Sequence, residues 1–170
     1  LLFAINHQRL AGLCLLTAGL FDMLDGAVAR NCHRTTRFGS FLDSVIDRYS
    51  DMFFLTGIII YFSYQKEISY IIVSCLALIG TILVSYSRAK AETLDLKCNV
   101  GLMERPERII LLTLGILAGQ VKLTLIVLAI LTHFTVLQRI YYAWRTLPSM
   151  EHVSAEDEST NFDEISVSEK

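Results

Sequence analysis

Apolar positions dominate this chain in long runs separated by short polar interruptions, and the lengths of the runs suit a lipid bilayer. A bilayer core takes about 20 largely apolar residues per helix. The run 68–87 is bounded by Gln65-Lys66-Glu67 on one side and by Arg88-Ala89-Lys90 on the other, which predicts one spanning helix. Comparable runs cover 9–30, 39–64, 105–119 and 122–145. The pattern therefore predicts an all-α integral membrane protein, a polytopic bundle with five transmembrane helices. Residues 1–5 open on an apolar run without methionine, which predicts that a further first helix is largely missing. From Pro148 the apolar periodicity stops, and seven of the 17 acidic residues fall between Glu151 and Lys170. Two segments follow: a transmembrane domain, 1–147, and a disordered, solvated acidic tail, 148–170.

Composition agrees with this reading. With 53% hydrophobic residues, a mean hydropathy of +0.48 and two prolines, the chain is too apolar for an ordinary soluble domain. A net charge of −2 conceals an asymmetry. Eleven of the 15 Lys and Arg lie in 30–48, 88–108 and 139–145, whereas Arg9, Lys66 and Lys122 mark the opposite side. By the positive-inside rule the first three regions face the cytoplasm of an integral cell membrane protein. No nucleic-acid partner is expected. Cys14, Cys32, Cys75 and Cys98 show no CxxC spacing and read as reduced and structural, and no histidine pairs with a carboxylate or cysteine at ligand spacing.

Within this apolar chain stand Asp22, Asp25, Asp43 and Asp47. Acids at membrane depth are expensive and point to function, and four of them together call for divalent cations. Asp22 and Asp25 are three apart and Asp43 and Asp47 four apart, so each pair shares one helix face. The short polar stretch 31–38 reverses the chain, so the two edges face each other near the cytoplasmic surface. Hard oxygen ligands suit Mg²⁺ or Mn²⁺. Gly26, Ala29 and Gly39 either admit a ligand close to the helix backbone or allow close helix packing. Arg30 and Arg37 either neutralise phosphate or anchor the cytoplasmic side. Asp51, one turn beyond Asp47, is expected to orient or pair with Arg48.

The pattern Asp-x2-Asp-Gly-x2-Ala-Arg-x8-Gly-x3-Asp-x3-Asp resembles the signature of the CDP-alcohol phosphotransferase family at every fixed position. The resemblance implies a six-helix membrane enzyme, commonly homodimeric, in which an acceptor hydroxyl attacks the phosphorus next to the lipid of a CDP-linked donor and CMP leaves. It implies that Asp22, Asp25 and Asp43 hold two divalent ions with the donor diphosphate. Asp47 would serve both the metal site and general-base deprotonation of the acceptor. Gly26, Ala29, Arg30 and Gly39 would line the CDP site, with Arg37 beside them.

A second basic region indicates the acceptor. Ser85 and Arg88 share a helix face, as do Arg105 and Arg108, and Pro106 suits a first helical turn. Each base taken alone also reads as positive-inside decoration. The runs Ser85-Tyr-Ser-Arg88-Ala-Lys90-Ala-Glu92 and Glu104-Arg-Pro-Glu-Arg108 resemble the bacterial phosphatidylinositol-phosphate synthase branch. That implies a donor such as CDP-diacylglycerol and the acceptor inositol 1-phosphate, its phosphate held by Ser85, Arg88, Lys90, Arg108 and Arg139. Lys90 must reach round the helix flank to join them. The alternatives are a phosphatidylglycerophosphate synthase, an ether-lipid (archaetidyl) inositol-phosphate synthase and, from another class, a non-catalytic Mg²⁺-binding membrane protein. Gly115 and Gly119 would pack helices in any of these.

Overall fold

The computed structural model describes residues 36–96 and 100–168, together with Gly12 and Thr17, with side chains described as far as 148. Asp22, Asp25, Gly26, Ala29 and Arg30 lie outside the described residues, as does the predicted span 9–30 apart from Gly12 and Thr17. Four helices carry the remainder: α1 Arg37–Tyr64, α2 Ile68–Glu92, α3 Arg105–Leu117 and α4 Val121–Ser168.

Each helix begins or ends for a local reason. Thr36 caps α1, its Oγ1 accepting from the Gly39 amide at 3.0 Å. A Cβ at Gly39 would lie 2.9 Å from that same Oγ1, so glycine here leaves room for the cap. Pro106 sits in the first turn of α3, where a missing N–H costs nothing. The three helix-to-helix turns described share one solution. Glu67 N donates to Phe62 O at 3.1 Å and Lys66 N to Ser63 O at 3.1 Å; Leu96 and Asp95 repeat the pattern on Ala91 and Glu92, and Gln120 and Gly119 repeat it on Gly115 and Ile116. These are Schellman endings, which place one residue in the left-handed region. Gly119 (φ 72°) takes it without strain, whereas Lys66 (57°) and Asp95 (54°) take it despite a Cβ.

The core gathers Leu55, Ile58 and Phe62 of α1, Ala77 of α2, Leu112 and Ile116 of α3, and Leu125 and Leu128 of α4. α4 packs against both α2 and α3, and α2 joins α4 to α1. Small residues set the closest approaches. A Cβ on Gly80 would meet Thr132 of α4, and one on Gly115 would meet Thr124. Gly115 is thus a packing glycine, whereas Gly119 serves the turn. Buried hydroxyls turn inward along their own helices: Ser74 donates to Tyr70 O at 2.7 Å, Thr124 to Gln120 O at 2.8 Å and Thr132 to Leu128 O at 2.8 Å. Large apolar side chains such as Phe53, Ile72, Ile130, Leu137 and Trp144 point outward, as lipid-facing residues do.

The predicted count of five spans is not reproduced among the described residues. Two helices are long and apolar enough to cross a bilayer, Ile68–Glu92 with mean hydropathy 2.3 and Val121–Pro148 with 1.8. α1 has 28 residues, but Asp43, Asp47, Arg48 and Asp51 occupy its first half. α3 has 13 residues, a rise of about 20 Å against a hydrocarbon core of about 30 Å. The helical backbone of α4 runs past Pro148 to Ser168. A solvated polar helix and a solvated coil ask for the same composition, so the loss of apolar periodicity does not distinguish them.

Candidate active site

The first half of α1, the last turns of α2, the start of α3 and Arg139 of α4 enclose a cavity of about 340 Å³. Five arginines line it, Arg48, Arg88, Arg105, Arg108 and Arg139, together with Asp47, Asp51, Glu92 and Glu104. A larger and more apolar cleft of about 630 Å³ opens beside it between α1 and α2 and includes Arg37, Phe41, Met52 and Tyr86. Ser44, Arg48, Asp51 and Ser85 line both spaces, so the two adjoin.

Two acids of α1, Asp47 and Asp51, each meet a cation from α3. Arg105 Nη2 lies 2.8 Å from Asp47 Oδ1, and Arg108 Nη2 lies 3.0 Å from Asp51 Oδ2. The expected pairing of Asp51 with Arg48 is therefore corrected. Arg48 donates instead to Ser44 O on its own helix, and the partner of Asp51 arrives from far along the chain. Glu104 serves two guanidiniums, with Arg88 Nη1 at 3.3 Å and Arg139 Nη2 at 3.6 Å. Arg139 is only 3% exposed. Its Nε donates to Val100 O at 2.8 Å and its Nη1 to Val84 O, so it ties the loop before α3 to the end of α2. Gly101 permits that tie: its φ is 140°, and a Cβ there would lie 2.7 Å from Thr135 Cγ2 and 3.2 Å from Arg139 Nε.

Arg108 stands apart from the other bases. It is 4% exposed, and its Nε and Nη1 have no hydrogen-bond partner among the described residues, although Nη2 holds Asp51. Leaving buried charged donors unsatisfied is costly, so their presence at a cavity wall marks a place for an anion.

Of the residues expected to hold the acceptor phosphate, Ser85, Arg88, Arg108 and Arg139 line the cavity, and Lys90 does not. Lys90 lies exposed on the flank of α2, as its spacing of two from Arg88 implies. Arg37 reaches the apolar cleft, and Gly39 lies in the exposed first turn of α1. Arg105 and Glu104 are site residues that the motif reading left without roles. The signal for both was present in the Glu104-Arg-Pro-Glu-Arg108 run, where Arg105 shares a face with Arg108.

Among the described residues no group of three or more His, Cys, Asp or Glu gathers to hold a metal. Asp43 and Asp47, one turn apart on α1, supply two hard-oxygen donors. Asp47 already carries a cation, the Arg105 guanidinium, at hydrogen-bond distance. The donor chemistry and this stand-in charge fit a divalent ion.

An acidic helix edge facing a basic cavity, at one end of an all-helical bundle with lipid-facing sides, is the layout of a membrane enzyme for anionic substrates. Residues 1–148 match the family model described as CDP-alcohol phosphatidyltransferase, and the chain belongs to that family of transferases. It is 45% identical over 149 residues to an archaetidylinositol phosphate synthase of Methanothermobacter thermautotrophicus, covering 84% of this chain and 74% of the relative. To a phosphatidylinositol phosphate synthase of Mycobacteroides abscessus it is 34% identical over 155 residues, covering 86% and 70%. The fold is similar to that of the Mycobacterium tuberculosis phosphatidylinositol phosphate synthase with CDP-DAG bound, with a TM-score of 0.78 and 29% identity over 84% of this chain and 77% of that one. The same synthase in complex with manganese and citrate also gives 0.78 and 29%, over 84% and 73%.

Proposed function

We propose that this transferase moves the lipid phosphate of CDP-diacylglycerol, or of its ether-linked counterpart, to a hydroxyl of inositol 1-phosphate and releases CMP. The observation that carries the acceptor reading is buried Arg108, with two nitrogens that have no partner among the described residues, on a cavity that Ser85, Arg88 and Arg139 also line. A neutral acceptor would leave those donors unsatisfied, whereas a phosphate monoester satisfies them with charge-assisted bonds. Arg108 and Arg88 bind the phosphate, and Arg139 shapes the wall by fixing Val100 and Val84. The names of the relatives in both kingdoms share an inositol phosphate product and differ in the lipid, which supports this acceptor while leaving the donor chain type to experiment.

In the proposed reaction the acceptor oxygen attacks the phosphorus next to the lipid. The bond from that phosphorus to the CMP oxygen breaks, and CMP departs with the electron pair. Asp47, on the α1 edge of the same cavity, takes the hydroxyl proton as the new bond forms. Asp22, Asp25, Asp43 and Asp47 are the residues proposed to hold Mg²⁺ or Mn²⁺, which when bound neutralises the donor diphosphate. The active site is proposed to face the cytoplasm, where the Lys and Arg excess lies.

The test supplies the protein with Mg²⁺ and CDP-diacylglycerol and offers inositol 1-phosphate, glycerol 3-phosphate, inositol and serine in turn, with CMP release and lipid product measured by mass. Product with inositol 1-phosphate is expected. Substantial product with glycerol 3-phosphate alone would overturn the acceptor assignment and leave the family intact.

A further inference from the structure

We infer that Arg105 is the resident counter-cation of Asp47: it holds that carboxylate until a divalent ion takes its place, and the displaced guanidinium then joins Arg88 and Arg108 at the anion cavity. This rests on the function proposed above and gives a role to a residue that function leaves idle.

The geometry supports the exchange. Arg105 Nη2 is 2.8 Å from Asp47 Oδ1, with the two side chains 24% and 20% exposed, so neither charge is fully hydrated. A half-buried carboxylate needs a cation, and a guanidinium and a divalent ion compete for the same oxygen lone pairs. The other cavity carboxylates are engaged in the same way: Glu104 holds Arg88 and Arg139, and Asp51 holds Arg108. Asp47 differs from Asp51 in being one turn from Asp43, the neighbour that makes a metal edge. Arg105 is the first residue of α3 and lies three residues before Arg108, so both project from one face. Arg105 lines the same cavity as Arg88 and Arg108, so its guanidinium stays within the site after the exchange.

The consequence is an ordering device. Before the metal arrives, Arg105 is neutralised by Asp47 and adds little to anion binding. After it arrives, the cavity gains one unpaired positive charge. Metal binding and acceptor binding are therefore positively coupled, and linkage makes the coupling reciprocal.

The experiment titrates Mn²⁺ into the purified protein in detergent without substrate, reading free Mn²⁺ by electron paramagnetic resonance, for wild type, Arg105→Gln and Arg105→Lys. The glutamine variant should bind Mn²⁺ roughly two- to fivefold more tightly, the range of a partly exposed ion pair removed as a competitor. Its KM for inositol 1-phosphate should rise while its kcat changes less. Affinity equal to or weaker than wild type, in a variant with an unaltered melting profile, overturns the inference. Should the glutamine variant not fold, the lysine variant decides, since its looser pair should bind Mn²⁺ about twofold tighter and equality with wild type overturns the proposal. If neither wild type nor variant binds Mn²⁺, the metal reading falls and takes this role with it. If wild type binds and the variant binds no tighter, only the role of Arg105 falls.

Discussion

Each end of the bundle is crossed by an ion pair between helices, yet the two pairs are built differently. At one end Lys122 of α4 meets Glu67 in the α1–α2 turn at 2.7 Å, with side chains 51% and 34% exposed, and its ammonium lies 4.7 Å from the centre of the Tyr70 ring. At the other end Arg108 meets Asp51 with side chains 4% and 17% exposed, and two guanidinium nitrogens have no partner among the described residues. The Lys122 pair is hydrated and satisfied, so it serves as a tether. The Arg108 pair is desolvated and incompletely satisfied, so it gains from a further anion. Burial and unmet donors, more than the presence of charge, separate a binding site from a fastening.

Four substitutions break or sharpen that contrast. The largest effect belongs to Asp47→Asn, which keeps the shape of the acidic edge but removes the base. Turnover should fall about 10²- to 10⁴-fold with little change in melting temperature, measured by CMP release and thermal unfolding. A drop in melting temperature that accounts for the lost activity would return Asp47 to the structural side. Next, Arg108→Ala leaves Asp51 buried without its cation and should cost about 3 kcal/mol of stability while raising the KM for the acceptor more than that for the donor. The double change Asp51→Asn with Arg108→Met should recover much of the stability and none of the acceptor affinity, and recovery of both would sink the anion role. Third, Lys66→Gly relieves a left-handed residue in the turn beside the tether, and should stabilise the fold by about 1 kcal/mol with kinetics unchanged. The smallest effect is expected from Lys122→Gln: no change in turnover, and a slight fall in melting temperature that disappears at high salt. A marked loss of activity there would erase the distinction between the two ends.

The parts of this architecture that were legible in the sequence are those decided locally. Gln65-Lys66-Glu67 announced the first turn, Pro106 the start of α3 and the apolar run 68–87 most of α2, which continues to Glu92. The acids one turn apart at Asp43 and Asp47 and the shared face of Ser85 and Arg88 could be read from helical spacing alone. What spacing could not supply was the choice of partner. Asp51 has Arg48 three residues away but pairs with Arg108, because Arg108 reaches it from the start of α3 while Arg48 bonds to its own backbone. Arg139 reads as one more base for the acceptor, but its contacts are two distant carbonyls and Glu104. Helix lengths misled for a related reason: the run 105–119 is apolar enough for a span, yet Pro106 and the turn at Gly119 confine it to 13 residues. The contribution of Asp22, Asp25, Gly26, Ala29 and Arg30 rests on the signature and on the family to which the chain belongs.

The hydroxyls of Ser74, Thr124 and Thr132, spent on their own helices, bear on how the enzyme lives in a fluctuating bilayer. A hydroxyl bonded within its helix fastens nothing to the neighbouring one, so Thr124 meets Gly115 of α3 without a polar tie, and at Thr132 against Gly80 the same holds between α2 and α4. They are clamped near their ends, by Arg139 on Val84 at one and by Lys122 on Glu67 at the other. Two rods clamped at both ends and smooth between them yield by bowing, not by slipping past each other. The spacing of the charged groups at the chemical end therefore rests on the Arg139 tie to Val84 and not on the hydroxyls between the ends.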